Sequence, residues 1–436
     1  MTRPRRGVPV DSDTKGPDRL PPVTILFERL RSRLWPIPAT AAVVAGVLAA
    51  ALSMVRPDAD SGPVWWPGEA SSARGLLEVL AGASLTVVAL VFSLQVVALQ
   101  LAATQYSPRL LRTYARDGWI QGSLAVLIAT FVFSLMTLAL FGTVDRPPRV
   151  SVTVALLLGL ASVFALVGVV AHIVSSLRVE TMMAGIHADA QAVIESNLAG
   201  DMGARRPDWP PPARAGDAGA AIPASRPGFV QSVDRARLAA WAHTHDAYVR
   251  LTVGPGAHVL ADQPLGRVWP QSRDGAGVVS AVLIGHERTP DEDPGFGLVQ
   301  ISDVAVRALS PGINDPTTAV HAVGHLAALM GTIARTSPGP DRWTPDSDGT
   351  LRIQERVPVL KDYLNLAYRP VVRSGSSHPQ VLHALLDLLG HVAACSPHGP
   401  EAVRDDVEYL CRAADRGLDD QSDRDGVRTA ASAMLA

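Results

Sequence analysis

The sequence predicts a membrane α-helical protein, with four transmembrane helices followed by a cytoplasmic α+β region made of a small β-rich module and C-terminal helices. Three observations predict it. Apolar residues crowd into the first 177 of 436 positions in long, almost uncharged runs. The remainder has the mixed charge, Gly and Pro content of a water-soluble chain. Four of the apolar runs reach the length of about 20 residues that a helix needs to cross the hydrocarbon core of a bilayer.

The four runs are 37–55, 76–103, 119–141 and 150–173, together a transmembrane domain over 37–177. Each is flanked by charge or Pro, none holds Lys, Arg or Asp at its apolar centre, and Glu78 sits at the edge of the second. A cleaved signal peptide is not expected, because the leader 1–36 is long and basic and three further spans follow. That leader carries Arg3, Arg5, Arg6, Lys15, Arg19, Arg29, Arg31 and Arg33, against Arg56 and Arg74 after the first span. Arg109, Arg112 and Arg116 follow the second span, against Arg146 and Arg149 after the third. Basic residues concentrate on the cytoplasmic side, so both termini are expected there. The expected location is the plasma membrane, with Trp65 and Trp66 at the outer interface.

On the second span Thr86, Ser93 and Gln100 recur every seven residues, with Thr104 one turn on, and so share a helix face. Ser84 and Gln95 fall elsewhere on the circumference, making this helix polar on more than one side. Thr86, Ser93, Gln95 and Gln100 are the candidate site within the membrane. Two readings stand. Such groups bond neighbouring helices, helped by small residues such as Gly82, Gly159, Ala161 and Ala165. Alternatively they line a water-filled path, where amides and hydroxyls replace hydration. No acid or base lies deep enough to form a charged ring, and His172 reads as interfacial. Gln105, Tyr106, Pro108 and Arg109, just past the span, are candidates for the inner interface, where Tyr and Arg anchor helices.

The region 178–227 reads as a helix to about 201 and then a linker rich in Pro, Ala and Gly, including Pro210, Pro211 and Pro212. Short apolar runs between Gly228 and Gly285 predict the β-rich module over 228–285. Within it the stretch Gly254-Pro255-Gly256 to Leu265-Gly266 resembles the hairpin of barrel-sandwich-hybrid domains, but no lysine is present in this region for covalent attachment of a carried group. The segment 286–436 predicts a helical domain, with helices expected over 357–367, 379–394 and 401–414.

A helix over Leu298–Leu309 is broken by Ser310-Pro311-Gly312-Ile313-Asn314 and restarted by Asp315-Pro316. Asp315 suits the N-cap and Pro316 the first helical position. Asp303, Arg307, Ser310, Asn314, Asp315 and Pro316 are the candidate residues of this helix–turn–helix motif, whose functional version holds an anion at the helix N-terminus beside Arg307. His321 and His325, four apart, are weak candidates for a metal, without the glutamate of a His-Glu-x-x-His motif. Asp291, Glu292 and Asp293 read as a solvated loop.

Ser93-Leu94-Gln95, Gln105-Tyr106-Ser107-Pro108-Arg109, Asp303 and the run from Arg307 to Ala319 together resemble a bacterial family of predicted membrane proteins, domain of unknown function 2254. The resemblance spans nearly the whole chain. It implies four spans with a cytoplasmic C-terminal region, and it brings no activity or catalytic residues.

A net charge of −2 and only 5% aromatic content argue against nucleic acid as a partner. Two cysteines, Cys395 and Cys411, are too few for a disulfide framework. Gly-rich phosphate loops, nucleophile elbows and paired Cys-x-x-Cys are all absent, so no cofactor and no reaction are legible. The expected partners are the lipid bilayer and further copies of the chain. The function expected first is an oligomeric channel or transport-related protein; the alternatives are a membrane-tethered sensor or scaffold and, third, a metal-dependent membrane enzyme.

Overall fold

The computed structural model describes residues 35–54, 69–105, 118–141, 149–176, 178–198, 219–270, 275–336 and 339–436. The chain divides into two compact units, one comprising 1–103 and 110–175, the other 104–109 and 176–436.

The first unit contains α1 (Pro36–Met54), most of α2 (Ala70–Gln105), α3 (Gly118–Phe141) and α4 (Arg149–Ser176). Their core is built largely from small residues: Ala45 and Ala49 of α1, Ala73 and Leu77 of α2, Phe133 of α3, and Val152 and Ala155 of α4. Small side chains let helix backbones approach closely, which replaces the hydrophobic drive that apolar surroundings cannot supply. At Gly159 the approach is so close that a Cβ would lie 2.7 Å from Leu80. Between α3 and α4 the buried hydroxyls of Thr130 and Ser162 bond at 2.7 Å. Large apolar side chains such as Val43, Val47, Phe92, Phe164 and Val167 point outward. α2 begins six residues before the expected 76, so Glu78 lies within the helix, and its 36 residues extend about 54 Å at 1.5 Å each.

Five helices among the described residues are long and apolar enough to cross a membrane, not four. The fifth, α9 (Pro316–Thr336), belongs to the second unit, and half of it is buried there. Its apolar face, including Ala322, Val323, Leu326, Leu329, Met330 and Ile333, raises its average hydropathy to that of a span.

The second unit is α+β. After α5 (Val179–Leu198) come β1 (Ala220–Pro223), β2 (Gly228–Val233), α6 (Arg235–Thr244), β3 (Tyr248–Leu251), β4 (His258–Val259), β5 (Pro264–Trp269), α7 (Ala276–Ala281) and β6 (Val282–Gly285). Then follow α8 (Pro294–Ala308), α9, β7 (Asp341–Pro345), β8 (Leu351–Arg356), α10 (Leu360–Tyr363), a π-helical turn over Leu364–Tyr368, α11 (Arg369–Gly375), α12 (Pro379–Cys395), α13 (Arg404–Gly417) and α14 (Gln421–Leu435). Five strands form a sheet in the order β1-β5-β3-β8-β7, antiparallel except at β3–β8, and three form another in the order β4-β2-β6. Both sheets share one core of Val230, Leu238, Val249, Leu251, Val268, Ile284 and Ile353.

Three expectations change here. The β-module is not confined to 228–285: β1 comes from the expected linker, and β7 and β8 come from the segment expected to be helical. Parallel pairing of β8 with β3 joins residues a hundred positions apart, and such pairing leaves no local sequence signal. The stretch 254–266 is not a two-stranded hairpin, because β4 pairs with β2 whereas β5 pairs with β1 and β3.

Beside the sheets, α8 is buried on nearly all sides, packed on α5, α9 and the π-helical turn. Its Gly297 admits Ala190 of α5, where a Cβ would come within 2.4 Å. Ser302 of α8 donates to the Ala367 carbonyl at 2.8 Å, tying this central helix to the π turn.

Candidate functional site

The best-formed cavity of the second unit, of about 390 Å³, lies beside the loop 252–257. Charged side chains from several elements meet on its walls. Arg235 opens α6; its Nε donates to Glu355 Oε2 of β8 at 3.0 Å, and its Nη1 donates to Glu292 Oε2 at 2.9 Å. Arg342 of β7 comes within 4.0 Å of the same Glu355 oxygen and donates to the backbone carbonyl of Asn197 at the end of α5. Arg288 donates to Asp293 Oδ2, while Asp293 Oδ1 accepts from Gly295 N at 3.0 Å and so caps α8. Asp291–Asp293 is therefore not simply a solvated loop: Asp293 is buried and Glu292 is ion-paired.

The loop requires glycine. Gly256 has φ +86°, and a Cβ there would lie 2.2 Å from Asp293 Oδ2. Four arginines and four carboxylates line the cavity, so its formal charge balances. Burial alone would lower the basicity of Arg235, but the Glu355 and Glu292 carboxylates outweigh it and leave it raised.

Two residues at this cavity also carry an enclosed polar atom with no hydrogen-bond partner among the described residues: Glu355 Oε1 and the Tyr363 hydroxyl. Tyr363 is 1% exposed and Glu355 6%. Burial pushes the Tyr363 phenol well above its ordinary pKa, reinforced by Asp293, so it stays protonated and able to donate. A buried polar atom without a partner costs about 1–3 kcal/mol.

Family membership follows from the whole chain. The model of predicted membrane proteins DUF2254 matches residues 31–391. This chain belongs to the DUF2254 family. Uncharacterized proteins of two Mycobacterium tuberculosis strains and of Mycobacterium bovis are each 32% identical to it over 425 residues, covering 93% of this chain and 81% of theirs. No solved structure matches it.

In this DUF2254 protein the polar residues of α2 divide between two sides. Ser84 is buried and Gln95 half-buried toward the bundle, with Gln95 Oε1 enclosed and without a partner among the described residues. Thr86, Ser93 and Gln100 lie on the exposed side, where Thr86 Oγ1 donates to the Gly82 carbonyl of its own helix, at 3.0 Å. Gly82 meets nothing within 4 Å of an added Cβ, unlike Gly159. Buried polar side chains gather on the other helices instead, with Gln121, Ser123, Thr130, Ser134 and Thr137 on α3 and Ser151 and Ser162 on α4. Gln105 ends α2, and Tyr106, Pro108 and Arg109 lie outside the described residues.

At the DUF2254 helix–turn–helix motif, Asp315 Oδ1 accepts from Thr318 N at 3.1 Å and Oδ2 from Thr318 Oγ1 at 2.6 Å. These bonds hold the Asp315 carboxyl below its ordinary pKa, the side-chain one most strongly. Pro316 starts α9, Asn314 takes φ +50°, and its side chain bonds His378 Nε2 at 3.0 Å. Ser310 O accepts from Asn314 N at 2.9 Å to close the turn. Asp303 and Arg307 are half-buried on α8 and have partners of their own. The ring of His325 lies 5.1 Å from that of His187 on α5, a neighbour that spacing in α9 alone did not suggest, while His321 is exposed. No group of three His, Cys, Asp or Glu converges on a metal among the described residues. None of the candidate site residues lines the cavity; of its lining the sequence singles out only the stretch from Gly254 and the pair Glu292 and Asp293, as a hairpin and a solvated loop, because the rest are scattered from 197 to 366 without a motif.

Proposed function

We propose that the protein is a homo-oligomeric, multi-pass membrane channel or transport-related protein. Four helices, α1 to α4, cross the bilayer with both termini on the cytoplasmic side, as the arginine distribution argues. α9 stays in the cytoplasmic unit, because its apolar face is already used against α5, α8 and α12. The exposed Thr86–Ser93–Gln100 side of α2 carries the reading. Facing hydrocarbon, a Gln amide without a partner costs several kcal/mol. Assembly of α2 helices from several copies covers that side and places its hydroxyls and amides around an axis, where they can replace ion hydration.

Ion flux into liposomes holding purified protein, followed across several ions and under tension, tests this. Flux is expected from the wild type and is lost on replacing Thr86, Ser93 and Gln100 by Leu. A monomer in detergent and bilayer, with no flux, overturns it.

A second reading is favoured by the cavity of about 390 Å³ walled by Arg235, Arg288, Glu292 and Glu355: a membrane-tethered sensor in which that cavity takes a ligand. α5, which contributes Asn197 to the cavity, follows α4 directly in sequence. Thermal stabilisation of the full-length protein by small molecules tests it.

A further inference from the structure

Both cysteines of the chain lie in the second unit, and their surroundings differ. Cys395 ends α12 and is half-buried. Its Sγ accepts from Arg335 Nη1 of α9 at 3.2 Å and lies 3.7 Å from Nε2 of His391, one turn earlier on α12. Arg335 and His391 are exposed, so the cluster sits at the surface. Gly331 of α9 leaves the space in which the imidazole stands beside the thiol: a Cβ there would lie 2.5 Å from His391 Nε2 and 3.4 Å from Cys395 Sγ. Arg335 Nη2 donates to Thr332 Oγ1 at 2.9 Å, which holds the guanidinium in place. A thiol becomes a nucleophile when a base takes its proton and a cation stabilises the sulfur anion, and here His391 is the base and Arg335 the cation. The carbonyl end of α12 disfavours an anion on sulfur, and the guanidinium in contact with Sγ offsets this. Cys411 on α13 is placed otherwise: burial raises its thiol, reinforced by Asp415.

We propose that Cys395 is a thiol-modification site, which exchanges with small disulfides that carry carboxylates. His391 Nε2 takes the thiol proton as Sγ attacks one sulfur of the disulfide. A new S–S bond to Cys395 forms while the old one breaks, and the leaving thiolate takes the proton back from His391. One thiol is consumed and one released, so the disulfide is the only oxidant the step needs. A guanidinium has more N–H donors than Sγ and Thr332 take up, and those remaining on Arg335 suit a carboxylate of the incoming disulfide. Gly331 is a positioning residue, acting through the imidazole that it admits. This inference is independent of both the channel and the sensor readings.

The experiment treats the full-length protein in detergent with oxidised glutathione and, separately, with cystamine, which bears amines in place of carboxylates, and follows each cysteine by peptide mass. Cys395 is expected to take up glutathione about tenfold faster than Cys411 at neutral pH. With Cys411 as the internal reference, that ratio falls with cystamine, and Arg335→Gln removes the difference between the two disulfides. His391→Gln slows Cys395 and moves its rate-against-pH profile upward. Gly331→Ala, which displaces the imidazole without removing it, does the same, and it decides the matter if His391→Gln fails to fold. Equal rates at the two cysteines overturn the assignment, as does a Cys395 pH profile that neither variant moves. A ratio that is the same for both disulfides overturns the preference for carboxylates. Oxidation of Cys395 by hydrogen peroxide with no uptake from either disulfide overturns exchange.

Discussion

Gly256 is pressed against Asp293, with φ +86° and so little room that a Cβ would lie 2.2 Å from the carboxylate oxygen that Arg288 holds. The loop bordering the cavity and the cap of the central helix α8 are thereby one construction. Gly256→Ala combines a left-handed backbone with a clash, and strain of this kind costs about 1–3 kcal/mol. The expected result is a lower melting temperature of the full-length protein by fluorimetry, with Gly254→Ala, whose Cβ would meet only the Arg356 carbonyl at 3.6 Å, much milder.

Thr130 and Ser162 join α3 to α4 inside the bundle through a 2.7 Å bond, and Thr130 also donates to the Leu158 carbonyl at 3.2 Å. Interhelical bonds of this type contribute about 0.6 kcal/mol and at most about 2. A double-mutant cycle of Thr130→Val and Ser162→Ala, read by reversible unfolding in bicelles, is expected to return a coupling in that range. Strict additivity of the two losses would show that the pair does not interact.

Asp346 closes the β7–β8 turn. Its Oδ1 accepts from Asp348 N at 3.0 Å and Thr350 N at 2.9 Å, and its Oδ2 from Arg352 Nε at 2.6 Å and His243 Nδ1 at 3.1 Å. Burial alone would raise this carboxyl, but the Arg352 and His243 bonds and the two backbone bonds outweigh it and hold it well below the usual carboxylate range. Because the folded pKa is depressed, its stabilisation is complete above the unfolded value of about 3.9 and is lost as pH falls through the folded value. Melting temperature of the wild type should therefore drop more steeply below pH 4 than that of Asp346→Asn. At neutral pH the variant should melt lower, having lost the charge-assisted bonds.

Gln100→Leu is expected to stabilise the isolated protomer in lipid and to weaken its self-association, because the substitution removes a polar group from the exposed side of α2. Mass measurement in native nanodiscs reads this as a shift toward smaller assemblies. Gln95→Met, which removes an enclosed amide oxygen that has no partner among the described residues, should leave assembly unchanged and not lower stability.

Membrane insertion is written in the sequence itself: uncharged runs long enough to cross hydrocarbon need no partner to reveal them, because each helix satisfies its own backbone bonds. The positions of α12 and α13, and the restart of a helix at Asp315-Pro316, are likewise local, since capping and the 3.6-residue period act within a few residues. Burial is not local. α9 carries a span's worth of apolar residues, and only its packing against α5, α8 and α12 gives that face a use within the second unit. Strand β8 follows the same logic: alone it is a six-residue segment next to helices, and it becomes a central strand through parallel pairing with β3. The cavity is the extreme case. Arg235, Glu292, Arg342, Glu355 and Tyr363 look like ordinary surface charges and a core tyrosine when read in line. Tertiary folding alone brings them together, and it leaves two of their polar atoms buried without a partner among the described residues, because side-chain convergence depends on the path of the whole chain and not on the spacing of neighbours.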